Sequence, residues 1–508
     1  MTTTGSQALR TLVIYAICVP LALMIGYLVA NPLDWSTIAF FGVLLLVIAT
    51  PILLKFHHAL LVTTLSMTAY AFFVPGRPPL WELVALISLG ISILQYALSR
   101  RAGFLHAPTI TRPLIFICVV VLVTAKFTGG IGFNLLGGES VGGRRYVDIL
   151  CGAAVFFGLI ARRIPLHKAN IYTALFVLSG ITAMLSHVAM YLGPAFNFIL
   201  YLFPSAGTAE LRPEGEIGRI GGAALAGGAL VSYILARYGL RGVFAPGHFW
   251  RVIGLFLCIV ASLFSGFRGS LIGITLLIVF LGVLEGVYKS RWMPVMVLCG
   301  ILAAAVTIPL VPKLPFTFQR TISFLPVEIS PEARASAEST SEWRLGIWKE
   351  ALPEVPKYLF LGKGLSINTE KWLQANSSSA LGNESGTLLA GDYHSGPLSV
   401  IIPFGIWGVI GFVWFVWAGS RVLYLNYRFG DPALRTINAY LLAAFLVELF
   451  QFCFIMGGFQ PGLIRFCSIF GFSVALNGGV RKPVPALAPQ PIPIPIRLRI
   501  KPAAAFSR

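Results

Sequence analysis

The stretch GPLSVIIPFGIWGVIGFVWFVWA, residues 396–418, contains no charged side chain. A helix rises 1.5 Å per residue, so roughly 20 apolar residues cross the hydrocarbon core of a bilayer, which is about 30 Å thick. In lipid, every backbone polar group must be satisfied internally, which a helix achieves within a single segment. The stretch therefore predicts a transmembrane helix.

Similar apolar blocks occur along most of the chain. They lie at 11–30, 35–54, 58–74, 79–98, 113–128, 147–161, 170–190, 218–236, 249–264, 270–288, 292–311, 396–418, 434–456 and 461–479. The chain is 57% hydrophobic and 11% charged, whereas soluble domains carry about 25% charged residues. The sequence predicts an all-α integral membrane protein, a polytopic bundle of about 14 (12–14) transmembrane helices.

The distribution of charge predicts how the bundle is oriented. The 508-residue chain has a formal net charge of +19. If the N-terminus is cytoplasmic, the cytoplasmic segments contain 22 of the 38 basic residues but only two of the 19 acidic ones. Basic residues concentrate in the cytoplasmic loops of membrane proteins. We therefore interpret the charge as a topology signal, with both termini cytoplasmic, and expect no nucleic-acid partner.

This topology divides the chain into four segments. Residues 1–311 form the N-terminal transmembrane helices, 312–395 a large outer loop that is partly helical, and 396–480 the C-terminal transmembrane helices. Residues 481–508 form a Pro-rich basic tail on the cytoplasmic side. We expect the tail to be extended and solvated, and its basic residues are able to contact anionic membrane lipid.

Three arginines lie at the predicted outer ends of helices or in the outer loop. Arg219 opens the span 218–236, and Arg268 lies in a very tight turn between two spans. Arg344 follows Ser339 and Glu342, whose spacing is that of a capping box and predicts a helix start at Ser339. On that helix Arg344 and Trp348 are i,i+4 neighbours on one face.

Two further features belong to the outer loop. Gly362-Lys363-Gly364 is a segment whose backbone can approach a ligand closely. His394 is the one histidine in the loop, and it lies where the chain re-enters the membrane.

These residue types fit transfer chemistry on a lipid diphosphate. Guanidinium groups at one level bind phosphate and stay charged, and a histidine accepts a proton near neutral pH. The outer loops contain no paired carboxylates at metal-ligand spacing, so we expect a metal-free reaction without a cofactor. A simpler interpretation remains open, in which Arg219 and Arg268 anchor helices at the interface, Arg344 pairs with a loop glutamate and His394 is an ordinary polar residue.

At these residues the chain resembles the O-antigen ligase and O-antigen polymerase superfamily, whose members have many spans and a large periplasmic loop before the last helices. The resemblance covers roughly residues 210–415. Phe267 and Ser395 depart from it, since serine and asparagine are frequent there. The matching residues are Arg219 with Gly222, Ser265 with Arg268-Gly269, Arg344 with Trp348, Gly362 with Gly364, and His394.

The resemblance implies a metal-independent, inverting glycosyltransferase of the bacterial inner membrane. It would transfer a glycan from undecaprenyl diphosphate to a hydroxyl of the lipid A core (a ligase) or of a second lipid-linked glycan (a polymerase). Arg219, Arg268 and Arg344 would bind the diphosphate, with Gly362 and Gly364 beside the substrate. His394 would be the base or orient the acceptor, and Trp348 would pack or stack on a sugar.

Two other classes of protein are alternative interpretations of the sequence. A transporter or flippase for lipid-linked glycans would also need arginines for a phosphate head group. Transporters often show two related halves, however, and no clear internal repeat is present here. A structural scaffold for envelope assembly gives no reason for outer arginines beside a histidine.

Overall fold

The computed structural model describes residues 35–74, 76–98, 103–129, 140–204, 219–290, 293–368, 384–389 and 391–482, with a few positions between 15 and 26. The first predicted span, 11–30, lies largely outside the described residues, and so does the predicted tail beyond Lys482.

The described chain is almost entirely helical. Its N-terminal part contains α1 Trp35–Thr64, α2 Leu80–Leu98, α3 Pro108–Thr128, α4 Gly143–Ile160, α5 Ala169–Leu178, α6 Leu185–Leu192, α7 Ile199–Leu202, α8 Gly221–Val243, α9 Phe249–Leu263, α10 Arg268–Leu284 and α11 Met293–Thr307. Its C-terminal part contains α12 Phe316–Thr321, α13 Pro331–Ala351, α14 Glu354–Lys357, α15 Glu384–Leu389, α16 Gly396–Phe429, α17 Arg435–Phe454 and α18 Phe459–Asn477. Two short strands, β1 Ser140–Val141 and β2 Ile367–Asn368, pair antiparallel, which ties the loop before α16 to the start of α4.

Within the described ranges, seven helices are long and apolar enough to cross a membrane. They are Leu80–Leu98, Pro108–Thr128, Leu166–Leu192, Gly221–Val243, Gly396–Phe429, Pro432–Phe454 and Phe459–Asn477. Large side chains such as Phe127, Trp407 and Trp417 are exposed on them, as expected for surfaces that contact lipid. The protein is thus a predominantly helical membrane protein. The total of about fourteen spans and the periplasmic side of the loop stay predictions.

One predicted pair of spans is wrong. Block 35–54 and the first residues of block 58–74 lie in a single helix, α1, which ends at Thr64 and has Pro51 inside it. Residues 55–57, which separate the two predicted blocks, are helical. In the structure His57 and His58 are both buried, because His57 Nδ1 hydrogen-bonds Ser88 Oγ at 2.9 Å and His58 Nε2 lies 2.9 Å from the carbonyl oxygen of Leu159. One ring nitrogen of each histidine thus has a partner on α2 or α4, which allows the ring to lie inside the bundle.

This correction removes one crossing from the predicted count. The prediction that both termini are cytoplasmic depended on an even number of crossings. The part of it that places the N-terminus in the cytoplasm therefore loses its support. The concentration of basic residues from Arg100 onward does not depend on α1, so the orientation of the later helices stays a prediction.

Helix α16 contains a break that positions the loop. Gly405 has φ 61°, which interrupts the helix after Phe404. The loop fills the break with backbone hydrogen bonds: Lys363 N donates to Ile402 O at 2.8 Å and Gly364 N to Pro403 O at 2.9 Å. The loop is thereby fixed at the break in α16, about two turns after the start of the helix.

Candidate active site

Two of the predicted arginines converge on the loop helix α13. The Arg268 Nη2 atom donates to the carbonyl oxygen of Ala337 at 2.9 Å and to Ser341 Oγ at 3.1 Å. The Arg219 Nη2 atom donates to Thr340 Oγ1 at 3.4 Å. The starts of α8 and α10 therefore present their guanidinium groups to one face of α13.

Arg344, on the same helix, completes this arginine cluster of Arg219, Arg268 and Arg344. Its Nη1 atom donates to Ile455 O at 3.0 Å, in the turn between α17 and α18. Burial lowers the pKa of Arg344, and the positive charges of Arg268 and Arg219 lower it further. The structure therefore brings the three predicted arginines into one electrostatic environment, and a guanidinium remains charged in it.

Sequence reasoning missed a fourth arginine beside this cluster. Arg320 is 4% exposed and joins the turn before α10 to α13. Its Nη1 atom donates to Gly266 O at 3.1 Å and its Nε atom to Ser336 Oγ at 3.0 Å. Arg320 thus holds the turn that carries Arg268 against α13. Its burial in a polar loop was the one feature that could have distinguished it, and burial is a tertiary property.

The predicted start of the loop helix is also wrong. Helix α13 begins at Pro331, and Ser330 is its N-cap, with Oγ accepting a hydrogen bond from Ala333 N at 3.3 Å. Ser339, the predicted cap, lies inside the helix and donates to Ser336 O. The Ser-Pro pair, with proline at the first helical position, is the stronger start signal. Arg344 and Trp348 lie on α13, as the i,i+4 spacing required.

His394 lies in a strained turn before α16. Its φ is 45°, uncommon for a residue with a side chain, and its Nε2 atom lies 3.6 Å from Asp392 Oδ2. Its ring centroid is 5.0 Å from that of Trp343. Burial lowers the pKa of His394, the Asp392 carboxylate opposes this, and the Arg344 charge adds to it. The imidazole is therefore neutral near pH 7 and suited to accept a proton.

Trp348 supports the turn that carries His394. Its indole Nε1 donates to the carbonyl oxygen of Tyr393 at 3.0 Å. Backbone strain persists only where surrounding contacts impose it, and this hydrogen bond is one such contact. The structure therefore gives Trp348 a positioning contact; stacking of its ring on a sugar stays a prediction.

The two predicted glycines approach the protein's own chain. A Cβ on Gly362 would lie 2.2 Å from Pro403 O, and one on Gly364 would lie 2.1 Å from Thr128 Oγ1. Both residues have positive φ, 78° and 75°. They allow the loop to enter the break in α16, and their contact with substrate stays a prediction.

His394 lines a cavity of about 400 Å³, and the sequence did not predict the other residues of its wall. The polar residues on its wall include Arg145 at the start of α4 and Gln460 and Arg465 on α18. Arg268 lines a separate cavity of about 180 Å³ with Ser341. The arginine cluster and His394 are neighbours through Arg344, yet Arg268 and His394 do not share one cavity. In the described part of the chain, no three His, Cys, Asp or Glu side chains form a group that could hold a metal ion.

Comparison with known protein families gives a match in this part of the chain. A family model described as O-Antigen ligase matches residues 253–413, a range that includes Arg268, Arg344, Trp348, Gly362, Gly364 and His394. Arg219, Arg145 and Arg465 lie outside the match. No curated protein matches the chain.

Proposed function

We propose that this chain, which matches the O-antigen ligase family model over residues 253–413, transfers a glycan from undecaprenyl diphosphate to an acceptor hydroxyl in the bacterial inner membrane. The family match indicates O-antigen ligase-type function in polysaccharide assembly. The finer assignment, with the lipid A core as acceptor, is our proposal. It is supported above all by the proximity of the arginine cluster to a neutral histidine.

The arginine cluster suits the leaving diphosphate. Arg268 and Arg344 donate to neutral oxygens, those of Ala337, Ser341 and Ile455. Their positive charge therefore remains available to stabilise the negative charge that develops on the diphosphate. Arg219 adds a third charge and lies closest to α13 at Thr340.

His394 suits the acceptor. The Asp392 carboxylate beside Nε2 favours a proton on that nitrogen and leaves Nδ1 as the acceptor. Nδ1 takes the proton of the acceptor hydroxyl while its oxygen forms a bond to the anomeric carbon of the donor. The bond from that carbon to the phosphate oxygen breaks, its electron pair leaves with undecaprenyl diphosphate, and the proton on His394 passes to water. Attack opposite the leaving group inverts the anomeric centre.

A glycan-transfer assay with purified protein, lipid-linked oligosaccharide and lipid A core tests the proposal. A ligated lipid A core product supports the ligase. A ladder of longer lipid-linked chains without ligation would instead identify a polymerase of the same superfamily. Movement of the lipid-linked glycan across liposomes without a new glycosidic bond would identify a transporter and overturn the proposal.

We expect Arg344→Ala to lower the rate of glycan transfer by roughly 10²- to 10³-fold, the usual effect of removing one charge-stabilising donor. The measurement is the initial rate at saturating donor and acceptor. Lys349→Ala is the matched control, since Lys349 is an exposed cation on the same helix. Equal rates for the two variants would exclude Arg344 from leaving-group stabilisation.

The pH dependence should follow His394. The pKa of His394 is lowered from 6.5, so we expect transfer to fall as the pH is lowered and Nδ1 becomes protonated, with the midpoint of the fall below pH 6.5. Asp392→Asn removes the carboxylate that raises this pKa and should move the fall to still lower pH. An unmoved acid limb would show that another group titrates. The charged groups near His394 are Asp392, Arg344, Arg145 and Arg465.

A further inference from the structure

We infer that the cavity lined by Arg145, Gln460 and Arg465 beside His394 is the subsite that holds the acceptor sugar, an inference that rests on the proposed function. All three residues lie outside the family match. They come from α4 and α18, which pack against each other.

The cavity lies next to the proposed base. His394 lines this cavity, so a hydroxyl bound there can reach the imidazole that would take its proton. Met456 also lines it, and the Arg344 guanidinium contacts the preceding residue, Ile455, as well as the Met456 sulfur. The turn between α17 and α18 therefore separates the arginine cluster from the cavity. An inverting transfer needs this separation, because the nucleophile and the leaving group lie on opposite faces of the sugar ring.

The side chains on the cavity wall suit a sugar. A sugar hydroxyl both donates and accepts hydrogen bonds. The cavity offers guanidinium donors from Arg145 and Arg465, a carboxylate acceptor from Asp392 and the carboxamide of Gln460, with the ring of Phe459 as an apolar face. Such a mixed wall suits a polyhydroxylated ligand better than a diphosphate, which calls for cationic donors alone.

Neighbouring groups hold Gln460 and Arg465 in place. Gln460 Nε2 donates to Asp148 Oδ2, which fixes the orientation of its amide. Arg465 Nε pairs with Glu448 Oε1 at 2.9 Å. The Arg145 guanidinium lies beside Gly391, where a Cβ would lie 3.2 Å from Nη1. A ligand that meets pre-oriented groups loses less entropy on binding.

Separate Michaelis constants for donor and acceptor test the inference. For Arg145→Ala we expect the acceptor KM to rise by about ten- to a hundredfold, the effect of losing a hydrogen bond from a charged group, while the donor KM stays unchanged. Arg145→Lys keeps the charge but loses the planar fork, and should give an intermediate acceptor KM; it also serves if the alanine variant does not fold. Lys349→Ala should leave both constants unchanged.

The possible outcomes separate this inference from the proposed function. A rise in donor KM with an unchanged acceptor KM would show that the cavity binds the donor and would overturn the inference. Unchanged constants in both Arg145 variants would overturn it as well. Absence of any transfer by the wild-type protein, with both substrates supplied, would overturn the proposed function itself. Direct binding of the acceptor glycan to wild-type protein and to Arg145→Ala gives a readout independent of turnover, and equal affinity would again overturn the inference.

Discussion

His394→Gln is expected to lower the rate of glycan transfer by about 10²- to 10⁴-fold, the range by which a positioned general base accelerates reactions. Glutamine keeps a polar side chain in the turn but has no nitrogen that accepts a proton near pH 7. The strained φ of 45° and the hydrogen bond from Trp348 to Tyr393 O belong to the backbone. The turn should therefore survive the substitution. Initial rates with lipid-linked donor and excess acceptor give the measurement.

His167→Gln is the control for this variant, because His167 is an exposed histidine of a 3₁₀ turn far along the chain from the site. It should transfer glycan at the wild-type rate. If His394→Gln retained a rate within twofold of His167→Gln, His394 would not be the base. Loss of the acid limb of the pH profile in residual His394→Gln activity would support its assignment independently.

Gly362→Ala is expected to destabilise the protein by roughly 2–5 kcal/mol, through the cost of a left-handed backbone for alanine plus overpacking. The added Cβ would lie 2.2 Å from Pro403 O and 2.6 Å from Pro403 C, which are backbone atoms of the break in α16. Backbone atoms cannot rotate away as a side chain does, so the loop would have to leave the break. Thermal unfolding in detergent measures the effect.

Gly228→Ala provides the matched control. Gly228 lies inside α8, and a Cβ there would meet no atom within 4 Å. Alanine is favoured over glycine in a helix interior by roughly 0.5–1 kcal/mol, so this variant should be as stable as wild type or slightly more so. Equal unfolding temperatures for the two variants would mean that the loop does not occupy the break in α16.

The sequence predicted the elements whose signals are local. The apolar run at 396–418 became part of α16, and the blocks near 79–98 and 461–479 correspond to α2 and α18. The position of Arg268 in a tight turn was also correct, since α9 ends at Leu263 and α10 begins at Arg268. These features depend on composition over a few turns of helix, because the length of an apolar run decides whether it spans the hydrocarbon core.

Errors arose where a distant partner reversed a local signal. Residues 55–57 separate two predicted spans, yet they lie inside α1, where His57 and His58 hydrogen-bond Ser88 and the carbonyl oxygen of Leu159. Ser339 had the spacing of a helix cap, but the helix had already begun at Ser330-Pro331. In each case a contact from another helix, or a stronger start signal upstream, outweighed the pattern.

The sequence by itself determined that this protein is a helical membrane protein with arginines and a histidine near one loop, because hydropathy and residue chemistry are properties of the chain. Only the tertiary structure decided which of these side chains meet. It joined Arg219, Arg268 and Arg344 on α13, and it placed His394 in a cavity with Arg145 and Arg465. The physical reason is that packing, not sequence separation, sets the distances over which charges and hydrogen bonds act.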